Sequence, residues 1–492
     1  MSNNESGKQF YSALQAKAMS AVKDIFKSEL YPIQYPSQGD FMWNYQNINQ
    51  VFNQGTFKYI SANVSPGEVD GTAKLSDEGG FPNAYVQVIN AIAYTLSKAN
   101  QDKLNKAQSA ASTQAQSIVS DYQNTFGTIT DQQMKDVSVA TKYDYVISYI
   151  LGSIWSGKGT SQPLTYTDMQ NARNLRKLLP KMPASGDQVV TDVSAYLNLM
   201  KPVLALQDLM QNGSWMITQL KNNTTYPDDS NGGMKTFDPN TGAISANDQV
   251  GYSINTSLAA ITNDLQNTGR SISLGMTTSQ ASGDSISVHI EGQAGFSIGS
   301  WLKFSVGAST EYDMSKVNGT STNCSVTMTW SGYSMVPMSP TAWQQATNVG
   351  WYYADIIAQA VKNGNNDVDG FKFEGNPPPY NMGAFKNGGN FGMLTNMLIS
   401  NYPTIEITYQ NANFSSFKQS WSEKVSGNLT LFGFIKLGSF SQGAYGSSYQ
   451  QGSDNSTFTV KFSASPEIIS VPQNQKTAYV IGGAVTNPGV AL

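Results

Sequence analysis

The sequence predicts an α+β chain: an N-terminal multi-helix bundle followed by an antiparallel β-rich domain built from two related β-meanders with a helical insertion. Three observations predict it. Apolar residues recur at spacings of three and four through residues 1–225, which is the period of a helix that buries one face. At Arg270 the period switches to two, the signature of a strand with one oily and one polar side. Two such alternating runs flank a helical segment and share an order of features. The expected layout is therefore a helical bundle at 1–225, a connector with a helix at 226–269 and a first meander at 270–340. A helical insertion at 341–403, a second meander at 404–475 and a C-terminal tail at 476–492 complete it.

In order, residues 6–29 place Phe10, Leu14, Ala18, Val22 and Ile25 on one helical face that stops before Tyr31-Pro32. Asn83 caps a helix carrying Val86, Ile89, Ala93 and Leu96, and an alanine-rich helix follows at 101–124. Thr130-Asp131 opens a third through Met134, Val137 and Tyr145 to Trp155. Shorter pieces follow at 173–179, 189–200 and 203–220, the last two divided by Pro202, which lacks a helical donor. Residues 222–249 are a polar connector with Pro227, Pro239 and Gly232-Gly233, and a helix is expected at 254–265.

The β region opens with Ile272, Leu274 and Met276. Residues 286–308 then alternate without a slip: even positions from Ile286 to Val306 are apolar or small, and odd positions are polar, glycine or Trp301. Since a strand usually runs about 5–6 residues, this is one long bent strand or a hairpin turning through residues 292–295. Helix is expected again at 341–361 and, after Pro377-Pro378-Pro379, at 390–399. Ile405, Ile407 and Tyr409 begin the second β run. Trp301-Leu302-Lys303-Phe304 corresponds to Phe434-Ile435-Lys436-Leu437, and Val326-Thr327-Met328-Thr329-Trp330 to Phe458-Thr459-Val460-Lys461-Phe462, which reads as an internal repeat.

Composition narrows the function. The 492 residues exceed one ordinary core. Charged residues are 13 %, against a typical ~25 %, and amides, hydroxyls and glycine fill the difference. A net charge of −4 with no dense basic run argues against nucleic acid as a partner. Cys324 is the only cysteine, so no internal disulfide and no thiolate cluster can form. The N-terminus has no signal-peptide core, and no run approaches the ~18 consecutive apolar residues of a spanning helix. Synthesis in the cytoplasm without a signal peptide is expected, with release by leaderless export or lysis.

Three motifs invite chemistry. Gly295-Phe296-Ser297-Ile298-Gly299 fits G-x-S-x-G, but that motif needs a strand-to-helix elbow, and the lone histidine, His289, lies eight residues back along the same face. Residues 152–160 approximate a phosphate-binding loop, yet Gly159 stands where Ser or Thr should bind magnesium and the preceding stretch reads as helix. Asn365, Asp367 and Asp369 alternate before Gly370 like the start of a calcium loop; Asn376 takes the position of the expected bidentate glutamate, with Glu374 two residues early. Calcium is the one cofactor this leaves open.

The expected function is non-enzymatic and toxin-like: binding membranes, oligomerising and forming pores through amphipathic β-hairpins. In a barrel the oily face meets lipid, the small polar face lines water and about 9–11 residues cross the bilayer. The residues assigned to membrane or assembly contact are Ile286, Val288, Phe296, Ile298, Trp301, Leu302, Phe304, Phe432, Phe434 and Ile435. The alternatives are a self-assembling structural protein, since low charge lowers repulsion between copies, and a carbohydrate-binding protein. The expected partners are a lipid membrane or copies of the chain as a homo-oligomer, with a glycan receptor as a further candidate.

Overall fold

The chain is mixed helix and strand with several antiparallel sheets, an α+β fold. The computed structural model of the protein describes residues 3–24, 26, 28–33, 41–42, 52–76, 79–152, 155–156, 162–245, 248–280, 286–290, 296–298, 302–306, 310–313, 323–375, 377–411, 414–415, 424–425, 429–432, 435–436, 445–453, 456–464 and 477–489. Two compact units result. One comprises Met1–Ile92, Ile217–Lys362 and Phe373–Leu492; the other comprises Ala93–Met216 and Asn363–Lys372. The division thus falls inside the stretch 1–225 rather than after it.

The first unit holds three larger sheets. Eight strands pair in the order β11-β10-β9-β14-β18-β23-β22-β19. They are β9 (Ser271–Gln280), β10 (Ile286–Ile290), β11 (Phe296–Ile298), β14 (Asn323–Ser331), β18 (Thr404–Gln410), β19 (Lys424–Val425), β22 (Tyr445–Gln451) and β23 (Phe458–Ala464). A four-stranded sheet joins β12 (Leu302–Val306), β13 (Thr310–Asp313), β20 (Leu429–Leu431) and β21 (Ile435–Lys436) in the order β13-β12-β20-β21. A third sheet runs β1-β24-β17-β15-β8, with β2 also on β24. Its members are β1 (Tyr31–Pro32), β2 (Phe41–Met42), β8 (Tyr252–Ile254), β15 (Tyr333–Pro340), β17 (Met393–Ser400) and β24 (Thr477–Thr486). Two small pairs, β3 (Phe52–Asn53) with β7 (Thr236–Phe237) and β4 (Val64–Pro66) with β5 (Ala73–Leu75), complete it.

Strand β14 passes from the eight-stranded sheet into β15 through Gly332. That glycine has φ +59°, and a Cβ there would sit 2.2 Å from the Leu265 carbonyl, so only glycine fits the corner. Helices α1 (Asn3–Val22), α2 (Gln54–Ile60), α3 (Gly80–Asn90), α9 (Leu258–Gln266) and α10 (Ala354–Asn363) accompany the sheets.

The second unit is helical. It contains the short pair β6 (Ile92–Thr95) and β16 (Gly370–Phe373), then α4 (Lys98–Phe126), α5 (Asp131–Asp136), α6 (Lys142–Leu151), α7 (Tyr166–Asn171) and most of α8 (Asp187–Thr225). Hydroxyl caps start these helices: Ser97 accepts from the Asn100 N–H, and Thr130 and Thr165 form capping boxes with Gln133 and Asp168. Ile118, Tyr122, Val146, Ile150, Val189, Val193 and Leu197 form its core.

Several elements differ from expectation. Helix α3 has Gly79 rather than Asn83 at its N-cap and ends at Asn90, and Ala93 lies in strand β6. Residues 390–399 form strand β17, held between β15 and β24. Met393, Leu394 and Met397–Ile399 are all buried, so no two-residue alternation remains to distinguish strand from helix. The expected tail at 476–492 contains β24, whose Gly482 and Gly483 leave room for the Leu30 and Leu394 side chains. Helix at 341–361 is confined to Ala354–Asn363. Pro202 does not divide α8, because Val203 and Leu206 immediately after it pack on Leu104 and the tertiary contact outweighs one missing donor.

Candidate functional site

The alternation at residues 286–308 resolves into a hairpin and a departure. β10 and β11 pair antiparallel with Ile286 opposite Ile298 and Val288 opposite Phe296. β12 then joins the four-stranded sheet, with Leu302 opposite Leu431 and Phe304 opposite Leu429. Val288, Phe432 and Ile435 are buried. Phe432 has φ +58°, a conformation bulky residues rarely adopt, and meets Phe10 edge-on at 6.5 Å. Trp301 and Phe434 lie outside the described residues.

The buried side of β10, with Val288 and Ile290, continues across the eight-stranded sheet. Ile272, Leu274 and Met276 of β9, Val326, Met328 and Trp330 of β14, Ile405 and Ile407 of β18, and Val460 and Phe462 of β23 are buried on one face. Helix α1 packs on this sheet against β9 and β11, placing Phe10, Leu14, Ala18 and Val22 in the same core. Polar contacts also anchor the helix. Lys8 pairs with Asp70 at 3.1 Å in solvent, the Gln15 amide donates to the Leu30 carbonyl at 2.8 Å, and the Tyr333 hydroxyl donates to the Ala21 carbonyl at 3.1 Å. The Trp330 indole N–H is buried and has no acceptor among the described residues.

The opposite face is hydroxyl-rich. One row runs through His289, Thr277, Ser325, Thr408, Thr459 and Gln450 across six paired strands. Hydroxyls bond across strands, Thr408 to Thr459 at 2.9 Å and Ser273 to Thr329 at 3.0 Å. Glu406 and Lys461 neutralise each other at 2.9 Å. Sequence reasoning noted the alternation in β9 and β14 but placed the site in 286–308; β9 and β14, 10 and 9 residues long, are the longer two-faced strands, against 5 and 3 for β10 and β11.

The remaining motifs find structural roles. Ser297 pairs with Ser287, so the hairpin brings it to within one diagonal step of His289, which linear spacing did not reveal. Ser297 nevertheless lies within strand β11, and Gly295 and Gly299 lie outside the described residues. Before residues 152–160 stands helix α6, where a phosphate loop requires a strand, and Gly152 caps it with its N–H on the Ser148 carbonyl. Residues 157–160 are outside the described set.

Asp367 and Asp369 cap helix α4. Asp367 Oδ1 accepts from the Lys98 N–H and Asp369 Oδ1 from the Ser97 N–H, both at 2.6 Å, and the Asn100 amide donates to Asp369 Oδ2. The Ser97 N–H in particular holds the Asp369 carboxyl below the usual range. Asn365 is exposed beside them, and Asn376 lies outside the described residues. These carboxyl oxygens serve the N-terminus of α4, and no cluster of three His, Cys, Asp or Glu side chains occurs among the described residues.

By length and composition, the helical stretch Ala184–Thr225 could cross a membrane. However, 39 % of its apolar window is buried in the fold, including Val189, Val193 and Leu197 of the helical core.

Comparison with protein-family models, with curated proteins and with solved structures finds no match to this chain.

Proposed function

We propose that this chain is a non-enzymatic, toxin-type protein that binds lipid membranes, oligomerises and opens a β-barrel pore. The observation that carries this reading is the two-sidedness of β9 and β14. Over 10 and 9 residues, inward positions are mostly apolar and outward positions are mostly hydroxyl or glycine. A crossing strand needs about 9–11 residues with that alternation. In the pore, the face now under α1 meets lipid and the row through Thr277 and Ser325 lines water. One feature favours release of the cover. The buried Trp330 N–H, whose unmet hydrogen bond costs about 1–3 kcal/mol, would find acceptors at the bilayer interface. A duplicated origin of the segments around β12 and β21, and around β14 and β23, fits a barrel assembled from like hairpins.

The test is dye release from liposomes, followed by planar-bilayer conductance of a Thr277→Asp, Ser325→Asp variant. Both positions are exposed but face each other across β9 and β14, where paired carboxylates repel, so the variant's circular dichroism must match the wild type and each single substitution is measured beside it. Release by the wild type and a shift of the variant's reversal potential toward cation selectivity are expected. Absence of release from any lipid mixture, with ordered assemblies under the electron microscope, overturns the pore in favour of self-assembly.

A further inference from the structure

We propose that the helical unit carries a binding site for an acidic sugar, a hydroxylated ring bearing one carboxylate or phosphate, in a cleft of about 570 Å³ between α7 and the first turns of α8. This volume is in the range of small-molecule sites, ~300–1,000 Å³.

Charge argues for the anion. Arg173, Arg176, Asp187 and Lys201 line the cleft. Arg176 is part of the frame: its Nε pairs with Asp187 Oδ1 at 2.8 Å, one Nη donates to the Met182 carbonyl at 2.7 Å and the other to the Leu179 carbonyl. That pair is neutral and fixed. Arg173 and Lys201 are exposed and have no ion-pair partner among the described residues, leaving two positive charges facing a concave space. A guanidinium fork suits carboxylate or phosphate oxygens, and an ammonium adds a point charge.

The walls argue for hydroxyls on the ligand. The Thr191 hydroxyl donates to the Asp187 carbonyl at 2.9 Å and the Ser194 hydroxyl to the Val190 carbonyl at 2.8 Å. Each proton is committed, so toward the cleft these oxygens serve as acceptors, which is what sugar hydroxyls require. The amides of Gln170, Asn174 and Asn198 offer both donors and acceptors. Leu175, Val190 and Leu197 supply a buried apolar patch for the C–H face of a ring. No aromatic side chain lines the cleft among the described residues, so a nucleobase would lack its stacking platform.

The experiment is calorimetric titration of the full chain with glucuronate, N-acetylneuraminate and glucose 6-phosphate, beside neutral glucose and inorganic phosphate. At least one acidic sugar should saturate below about 10 mM and bind about tenfold or more tighter than glucose and phosphate. Arg173→Ala with Lys201→Ala should lose about tenfold or more, while Lys177→Ala with Lys181→Ala, the same charge change outside the lining, should not. Thr191→Val, which keeps the shape and removes the acceptor, should weaken binding several-fold with unchanged circular dichroism. Vesicles with and without a sialylated glycolipid distinguish a lipid-borne sugar from a free one. Phosphate binding as tightly as every sugar, no saturation by any acidic sugar, or undiminished binding by the Arg173/Lys201 variant overturns the proposal. Membrane leakage is not read in this titration, so the pore and the sugar site fail separately.

Discussion

Asp192 shows how one residue sets a property of its unit. It is 8 % exposed, and its Oδ1 accepts from the Gln114 and Gln188 amides at 3.1 and 3.2 Å. Its Oδ2 is buried with no hydrogen-bond partner among the described residues. Burial first, and then interaction with the neighbouring Asp121 carboxyl, raise the Asp192 pKa above the usual carboxylate value. A carboxyl whose folded pKa is raised favours the fold fully below the unfolded value, ~3.9, and loses that contribution as pH rises through the folded one. The urea midpoint of the helical unit, followed by circular dichroism at 222 nm, should therefore decline from mildly acidic pH to pH 8. Asp192→Asn should flatten the decline, because Oδ1 still accepts from both glutamines and the neutral amide has no charge to desolvate. A gain of about 1 kcal/mol over wild type at pH 8 is expected; an unchanged pH slope would rule out Asp192 as its source.

At the scale of elements, helix α4 depends on residues far away in sequence. Its own alanine-rich stretch and Ser97 cap were readable, but the capping carboxylates of Asp367 and Asp369 come from a loop whose spacing imitates a calcium site. Alternating oxygens before a glycine suit either a cation or a row of N–H donors, and only the neighbour decides between them. Asp369→Ala should lower the stability of the helical unit by about 0.5–2 kcal/mol, the usual worth of a cap. Millimolar calcium should leave the wild-type melting temperature unchanged; a rise of several degrees would instead identify a bound ion. Strand β17 carries the same lesson. Buried throughout much of its length, it has lost the alternation that made β9 and β14 readable.

Across the whole molecule, low charge is the governing feature. With 13 % charged residues and a net charge of −4, little repulsion separates copies, and on the Ser/Thr face of the eight-stranded sheet Glu406 and Lys461 neutralise each other. Near the isoelectric point of about 5.2 even that repulsion vanishes. Light scattering should rise as pH approaches 5 and fall again on return to pH 8. Scattering that is flat with pH would show that net charge does not control association. The acidic branch also separates the two effects, since Asp192 strengthens the helical unit at the pH where copies associate.

Local chemistry was enough to give the α+β class, the two-faced strands, several of the helices and the low charge. Each follows from side-chain period, capping residues or composition, which act over a few positions. Tertiary structure decided which strands share a sheet, that residues 286–308 divide between two sheets, that α1 covers the oily face and that 477–486 form a central strand. It also carried α8 through Pro202, and gathered Arg173 and Lys201 beside hydroxyls whose protons are already committed. These depend on pairing and packing between residues distant in sequence, whose free energy outweighs local preference and leaves no periodic mark in the chain.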